Sequence, residues 1–388
     1  MRPTLEYGAS AWATAAKSHT NKLDQVQNIG LRTTLGAMKS TTIATMQKIA
    51  GVEPLDYRRN AELLTHGEKV KRMPDHPLHK RPRDLTKNRL KRTSLNHVLI
   101  EQQRKQSDIL APRPEECEML THNRTPLVLK AEVKFSIPVI STKSSDSEAF
   151  LKTLTLAELD KIYPVTAWTQ VFTDGSAENA TRNGGCGIYI RQPNKPPITI
   201  AIPGGDLCSN YRTETQALLT ATETVTQLAT RPKKVVLLTD CLSVLQSLAS
   251  GNPEDYTLRN LIQRLNSLTS RTTAVLQWIP AHTDIHGNEV ADKLAKEGSN
   301  KQQLKSKLSY QEAKTLIRKK RLADFKHRNG GYNPQQDTLR LLSRHKQIMI
   351  FRLRTGHCRL RSHMQNIGIE KSALCPCGLE AQTTAHVL

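Results

Sequence analysis

Hydrophobic positions repeat most regularly in the middle of the chain. Short apolar runs at residues 170–173, 187–191 and 198–202, separated by Gly, Asn and Pro, have the length and composition of strands. Apolar positions then recur at helical spacing over 211–228. The run Val235-Val236-Leu237-Leu238-Thr239 that follows is too short for a helix and is bounded by polar residues. Helical patterns at 242–248 and 258–268 lie either side of Gly251-Asn252-Pro253, and a strand at 274–279 and a helix at 288–297 close the section. Three strands, then alternating helices and strands, predict an α/β fold: a mixed five-stranded sheet with helices on both faces.

Outside this section the pattern changes. Residues 1–69 predict a helical segment, because Leu23, Val26 and Ile29, then Ile43, Met46 and Ile49, return at helical intervals, and Gly36 and Gly51 fall where such helices end. Residues 70–165 read as a linker: Pro74, Pro77, Pro82, Pro112, Pro114, Pro126 and Pro138 break every periodic stretch. The domain with the clear rhythm is then 166–299, and 300–388 is a basic, mainly helical tail.

Charge sharpens this division. The formal net charge is +22, yet from Trp168 to Gly298 there are 12 basic and 12 acidic residues, whereas from Lys301 onward there are 18 against 5. A neutral block between basic flanks suits an enzyme acting on a polyanion, with basic arms holding phosphates. Seven cysteines without paired spacing argue against a secreted disulfide framework. The chain lacks a run of 18 apolar residues and a secretory leader, so no membrane partner and an intracellular location, nucleus or cytoplasm, are expected.

Four acids stand out against this frame: Asp174 after the first strand, Glu214 in the first turn of the first long helix of the domain, Asp240 directly after Thr239, and Asp292 on the last helix. Singly, Asp174 suits a turn, Asp240 a helix cap, and Glu214 and Asp292 a solvated helix face. Together, acids at strand ends of an α/β sheet meet at its open edge. Four clustered carboxylates repel one another unless cations sit among them, and hard divalent ions, Mg²⁺ above all, answer that need. Two such ions suit phosphodiester cleavage without a protein nucleophile.

The motifs Thr173-Asp174-Gly175-Ser176, Arg212-Thr213-Glu214, Leu238-Thr239-Asp240, Trp278-Ile279-Pro280-Ala281-His282 and Gly287-Asn288-Glu289-Val290-Ala291-Asp292 resemble, in order, those of the ribonuclease H family. The resemblance covers about a third of the chain. It implies hydrolysis of the RNA strand of an RNA-DNA hybrid with two Mg²⁺ ions, for which Mn²⁺ substitutes, held by Asp174, Glu214, Asp240 and Asp292, with Asp174 bridging both. It gives His282 a part in proton transfer or product release. Gly175, Ser176, Ser209 and Asn210 are the expected substrate contacts, through hydrogen bonds to a phosphate or a 2′-hydroxyl.

The flanks carry a second resemblance. Leu5-Glu6-Tyr7-Gly8-Ala9-Ser10-Ala11-Trp12 and the tail from Arg352-Leu353-Arg354 to His386 are similar to segments flanking ribonuclease H in non-LTR (LINE-type) retrotransposon polyproteins. No paired-aspartate polymerase motif is present, so polymerisation is not expected and the chain reads as a piece of a longer element. Cys375, Cys377 and His386 offer three zinc ligands, with a fourth expected a few residues past Leu388; free thiols in a frayed end are the competing reading. Two alternatives to a hybrid-specific nuclease follow from the same residues: a catalytically inactive nucleic-acid-binding remnant, and a DNA-directed nuclease of the same fold.

Overall fold

The computed structural model describes residues 2–79, 95–106, 109–110, 114–120, 127–137, 148–251, 255–281 and 283–388. In chain order the helices are α1 (Arg2–Glu6), α2 (Lys17–Leu35), α3 (Ile43–Ala50), α4 (Leu55–Lys71), α5 (Leu95–Lys105), α6 (Glu148–Ile162), α7 (Asn210–Gln227), α8 (Leu242–Ala249), α9 (Tyr256–Thr269), α10 (His286–Asn300), α11 (Tyr310–Arg328), α12 (Arg344–Thr355), α13 (Arg361–Asn366) and α14 (Thr384–Val387). The strands are β1 (Glu132–Lys134), β2 (Thr169–Glu178), β3 (Arg182–Arg191), β4 (Ile198–Leu207), β5 (Lys234–Thr239) and β6 (Thr273–Trp278). Two compact units emerge. One gathers the described residues of Met1–Gly67, Lys80–Ile109 and Thr315–Leu388; the other gathers those of Glu68–His79 and Leu110–Lys314.

The second unit is built on one sheet of order β1-β6-β5-β2-β3-β4. β2, β3 and β4 pair antiparallel as a meander, while β5 joins β2, β6 joins β5 and β1 joins β6, all parallel. Strand alternation divides the core in two. Val171, Val235, Leu237 and Leu276 pack on one face with Leu218 of α7, Leu245 of α8 and Leu261 of α9. Phe172, Val236, Leu238 and Val275 pack on the other with Leu159 of α6 and Ala291 of α10. Both faces are therefore covered, and each fully buried Val or Leu contributes about 1.5–3 kcal/mol.

The five predicted strands are all present in a ribonuclease H-like α/β fold, and two features correct the expectation. The sheet has six strands rather than five, because β1 arises within the stretch expected to be linker. Three residues, Glu132-Val133-Lys134, carry no periodic signal of their own; pairing of Val133 with Leu276 of β6 makes them a strand. Second, β2 does not end in a turn at Gly175-Ser176. It continues to Glu178, paired with β3, and reverses through Asn179 and Ala180, whose φ values are 50° and 59°.

Close approach of α10 to β3 depends on missing side chains. A Cβ at Gly187 would lie 1.9 Å from the Ala291 carbonyl oxygen, and one at Gly185 would lie 2.0 Å from that of Ala295. Helix backbone thus rests directly on strand backbone.

The first unit is helical. Leu31 of α2, Met46 of α3 and Phe351 of α12 form one small buried cluster in it. α2 and α3 end at Gly36 and Gly51, both left-handed, with φ of 62° and 63°. No helix among the described residues is long and apolar enough to cross a membrane.

Gly187→Ala is expected to destabilise the second unit by about 3 kcal/mol, because neither backbone can yield. Urea unfolding followed through Trp168 and Trp278 checks this; a change within about 0.5 kcal/mol, the range of an ordinary surface substitution, would show that the helix retreats freely.

Candidate active site

The register of the parallel pair sets two of the acids. Phe172 of β2 stands opposite Leu238 of β5. Asp174 and Asp240 each lie two residues further on, so they leave the same end of adjacent strands side by side. Asp174 is itself opposite Gly187 on β3, on the face where α10 sits.

Glu214 arrives from α7. Ser209 caps this helix, its hydroxyl accepting a hydrogen bond from the Arg212 amide at 3.3 Å. A Cβ at Gly175 would fall 2.4 Å from the Glu214 amide nitrogen, so the strand is glycine where the first helical turn presses on it. Arg212 ties that turn down further: its guanidinium lies 3.2 Å from both Glu118 and Glu312. One ligand oxygen from each of Asp174, Glu214 and Asp240 lies within 4.8 Å of the others.

Asp292 is drawn near but stays outside that trio. Its carboxylate accepts a hydrogen bond from Lys296 Nζ at 2.6 Å, one turn along α10. Its charge still reaches Asp174, whose proton affinity it raises. Two residues escaped the sequence reading. Lys296 is one; the other is Asn288, 4% exposed, whose Nδ2 donates to Asp240 Oδ2 at 3.4 Å. Asn288 lies four residues before Asp292, and Lys296 four after, so helical spacing from the last acid is the signal by which both could have been found.

His282 lies outside the described residues. Ser176 is half-buried on β2 just past Gly175, Ser209 is half-buried at the α7 cap with its amide on Glu312 Oε1 at 2.9 Å, and Asn210 is exposed at the first position of α7. In the first unit, Cys375, Cys377 and His386 also present ligand atoms within 4.8 Å of one another.

Electrostatics mark the acidic trio as a place for a cation. Burial lifts Asp174 from 3.8 to about 7, with repulsion from Asp240 and then Asp292 adding to it. Burial, and then the charge of Asp174, hold Glu214 well above its ordinary 4.5. The contact between the two lowers Asp174 and raises Glu214, so Glu214 holds its proton more tightly than Asp174 does. Glu214 Oε2 is buried without a hydrogen-bond partner among the described residues. A cluster of hard oxygen donors with one atom left unsatisfied fits Mg²⁺ or Mn²⁺.

Residues 167–300 match the family model described as RNase H. A ribonuclease H of Schizosaccharomyces pombe is 28% identical over 146 residues, covering 34% of this chain and 52% of that protein. The chain therefore spans about half the length of this curated relative. Among solved structures, an RNase H1 from Halobacterium salinarum is 20% identical, with a TM-score of 0.29, covering 34% of this chain and 96% of that one. The N-terminal RNase H domain of a Mycobacterium tuberculosis protein, fused to maltose binding protein, is 19% identical, with a TM-score of 0.28, covering 34% and 94%.

The raised affinity of Asp174 for its proton makes the metal-free second unit lose stability as pH climbs from about 4 to 7, since the native state holds a proton there that the unfolded chain releases. In EDTA, Asp174→Asn should match the parent near pH 4 and become progressively more stable than it up to about pH 8, while Mg²⁺ should narrow the gap by stabilising the parent alone. Denaturation midpoints across this range check it; a gap that ignores both pH and Mg²⁺ would remove the electrostatic account of the site.

Proposed function

We propose that the RNase H domain hydrolyses the RNA strand of RNA-DNA hybrids at a site for two Mg²⁺ ions formed by Asp174, Glu214 and Asp240, with Asp292 as fourth ligand. The observation that carries this reading is the convergence of three carboxylates within 4.8 Å around an unpaired, buried Glu214 oxygen. When bound, the cations supply Lewis-acid activation of the attacking water and neutralisation of the departing oxygen.

The chain's own residues prepare that chemistry. Asp174, with one oxygen each of Glu214 and Asp240 within 4.8 Å, would be the central ligand of the set. Glu214 would serve as a ligand in its carboxylate form. Asn288 orients the Asp240 carboxylate through its amide. Lys296 positions the Asp292 carboxylate through a hydrogen bond of 2.6 Å, and Asp292 would add a further ligand to the set. The Ser209 hydroxyl spends a lone pair on the helix cap and directs its O–H to a phosphate or 2′-hydroxyl, the group that separates RNA from DNA. His282, ten residues before Asp292, serves proton transfer or product release. Basic residues outside 167–300 supply further phosphate contacts. The derivation from a retrotransposon is supported by the flanking runs Leu5-Glu6-Tyr7-Gly8 and Arg352-Leu353-Arg354 through His386.

A gel assay with a hybrid labelled on its RNA strand tests the reading. RNA cleavage is expected with Mg²⁺ and not with EDTA, and Asp174→Asn should lower its rate by about 10²–10³-fold. Cleavage of duplex DNA instead would assign the fold to a DNA-directed nuclease. Hybrid binding without cutting would assign it to a non-catalytic remnant.

A further inference from the structure

The carboxy-terminal segment is held in shape with almost no apolar core. Leu374, Leu379, Val387 and Leu388 are 48%, 82%, 50% and 88% exposed. Yet the segment has a defined path. Cys375 donates its amide to the Glu380 carbonyl at 2.8 Å, Gly378 donates to the Cys375 carbonyl at 2.9 Å with φ of 79°, and Leu374 bridges Ala381 antiparallel. The result is a tight hairpin with both cysteines at its tip. The chain then turns into α14, where the Thr383 hydroxyl accepts from the His386 amide at 3.2 Å and brings His386 back over the hairpin. Hairpins this small are marginal in water unless something else ties them.

We propose that Cys375, Cys377 and His386 bind one zinc ion, which takes the place of a hydrophobic core in this segment. Their ligand atoms lie within 4.8 Å of one another, close enough for small side-chain shifts to place them about one tetrahedral ion with bonds of about 2.0–2.3 Å. The histidine is already set in the ligating orientation. Its Nε2 faces Cys377 Sγ at 3.2 Å, and its Nδ1 lies 2.8 Å from Glu380 Oε1. A carboxylate taking the Nδ1 proton fixes the tautomer whose Nε2 lone pair points at the sulfur pair, the arrangement that orients histidine on zinc. Two sulfurs and an imidazole select a borderline-soft ion, in contrast to the carboxylate trio of the other unit. The fourth position falls to water or to a donor outside these three residues.

The ion would also fasten neighbouring helices. The Arg361 amide donates to Gln382 Oε1 at 3.0 Å, and the Thr384 hydroxyl donates to the Leu353 carbonyl at 3.2 Å, so the hairpin and α14 are joined to α13 and α12.

The test uses the full chain, reduced and stripped with chelator, then titrated with Co²⁺ and competed with Zn²⁺. One equivalent of Co²⁺ should give thiolate charge-transfer absorption and tetrahedral d–d bands, both removed by Zn²⁺. Cys377→Ser should abolish the charge-transfer pattern, and Glu380→Gln should weaken Zn²⁺ binding by about 10–100-fold while leaving the ligand bands in place. Zn²⁺ should slow amide exchange across residues 374–387. Asp174→Asn should leave all of this unchanged, and Cys377→Ser should leave Mg²⁺-dependent cleavage of a hybrid unchanged, so this inference and the ribonuclease reading fail separately. Octahedral Co²⁺ spectra, bands that persist in Cys377→Ser, or exchange that ignores Zn²⁺ would each overturn it.

Discussion

Backbone contact between elements is the constraint on which the acidic site depends. At Gly175 the first turn of α7 meets β2, and at Gly185 and Gly187 helix α10 meets β3, in each case with a strand residue too small to keep the helix away. Ordinary helix-on-sheet packing interposes side chains and holds backbones about 10 Å apart. Removing that layer brings Glu214 from one face and Asp292 with Asn288 from the other toward the parallel pair β2 and β5. A single methyl group at any of these positions would lift a helix and draw an acid away from the rest.

That closeness works against the fold in the absence of cations. Asp174 and Glu214 are buried close together, and each holds its proton more tightly than an exposed carboxyl does, a state that charge-neutral packing would never select. The structure confines this opposition to a small region. Leucine and valine layers on both faces of the sheet are continuous beneath it. Three further anchors hold its perimeter: the Ser209 cap, the Arg212 ion pairs and the Asn288 amide. The like charge of the site is thus braced by everything around it.

Much of this was legible in the residues. Branched apolar runs marked β2 to β6, since alternating burial on two faces leaves a direct trace; Asp174, Glu214 and Asp240 stood out because each followed or opened a predicted element, and Asp292 through the motif that holds it. What escaped has physical causes. β1 exists only through its pairing with β6, so Glu132-Val133-Lys134 looks like any other extended tripeptide. Gly175 and Ser176 resemble a turn in composition, yet they stay in a strand because glycine is needed there for contact rather than for bending. The pairing of Asp292 with Lys296 is a choice between two partners of one carboxylate, and a linear pattern does not rank them.

The Arg212 ion pairs set the size of what must fold together. Glu118 lies well before the matched residues 167–300 and Glu312 lies after them, yet both hold the helix that carries Glu214. β1, also upstream, closes the edge of β6. A fragment cut at the family boundaries would keep every acid and lose the two clamps that steady one of them, leaving Arg212 without either carboxylate. Recognisable domain and folding unit are therefore different lengths of chain here.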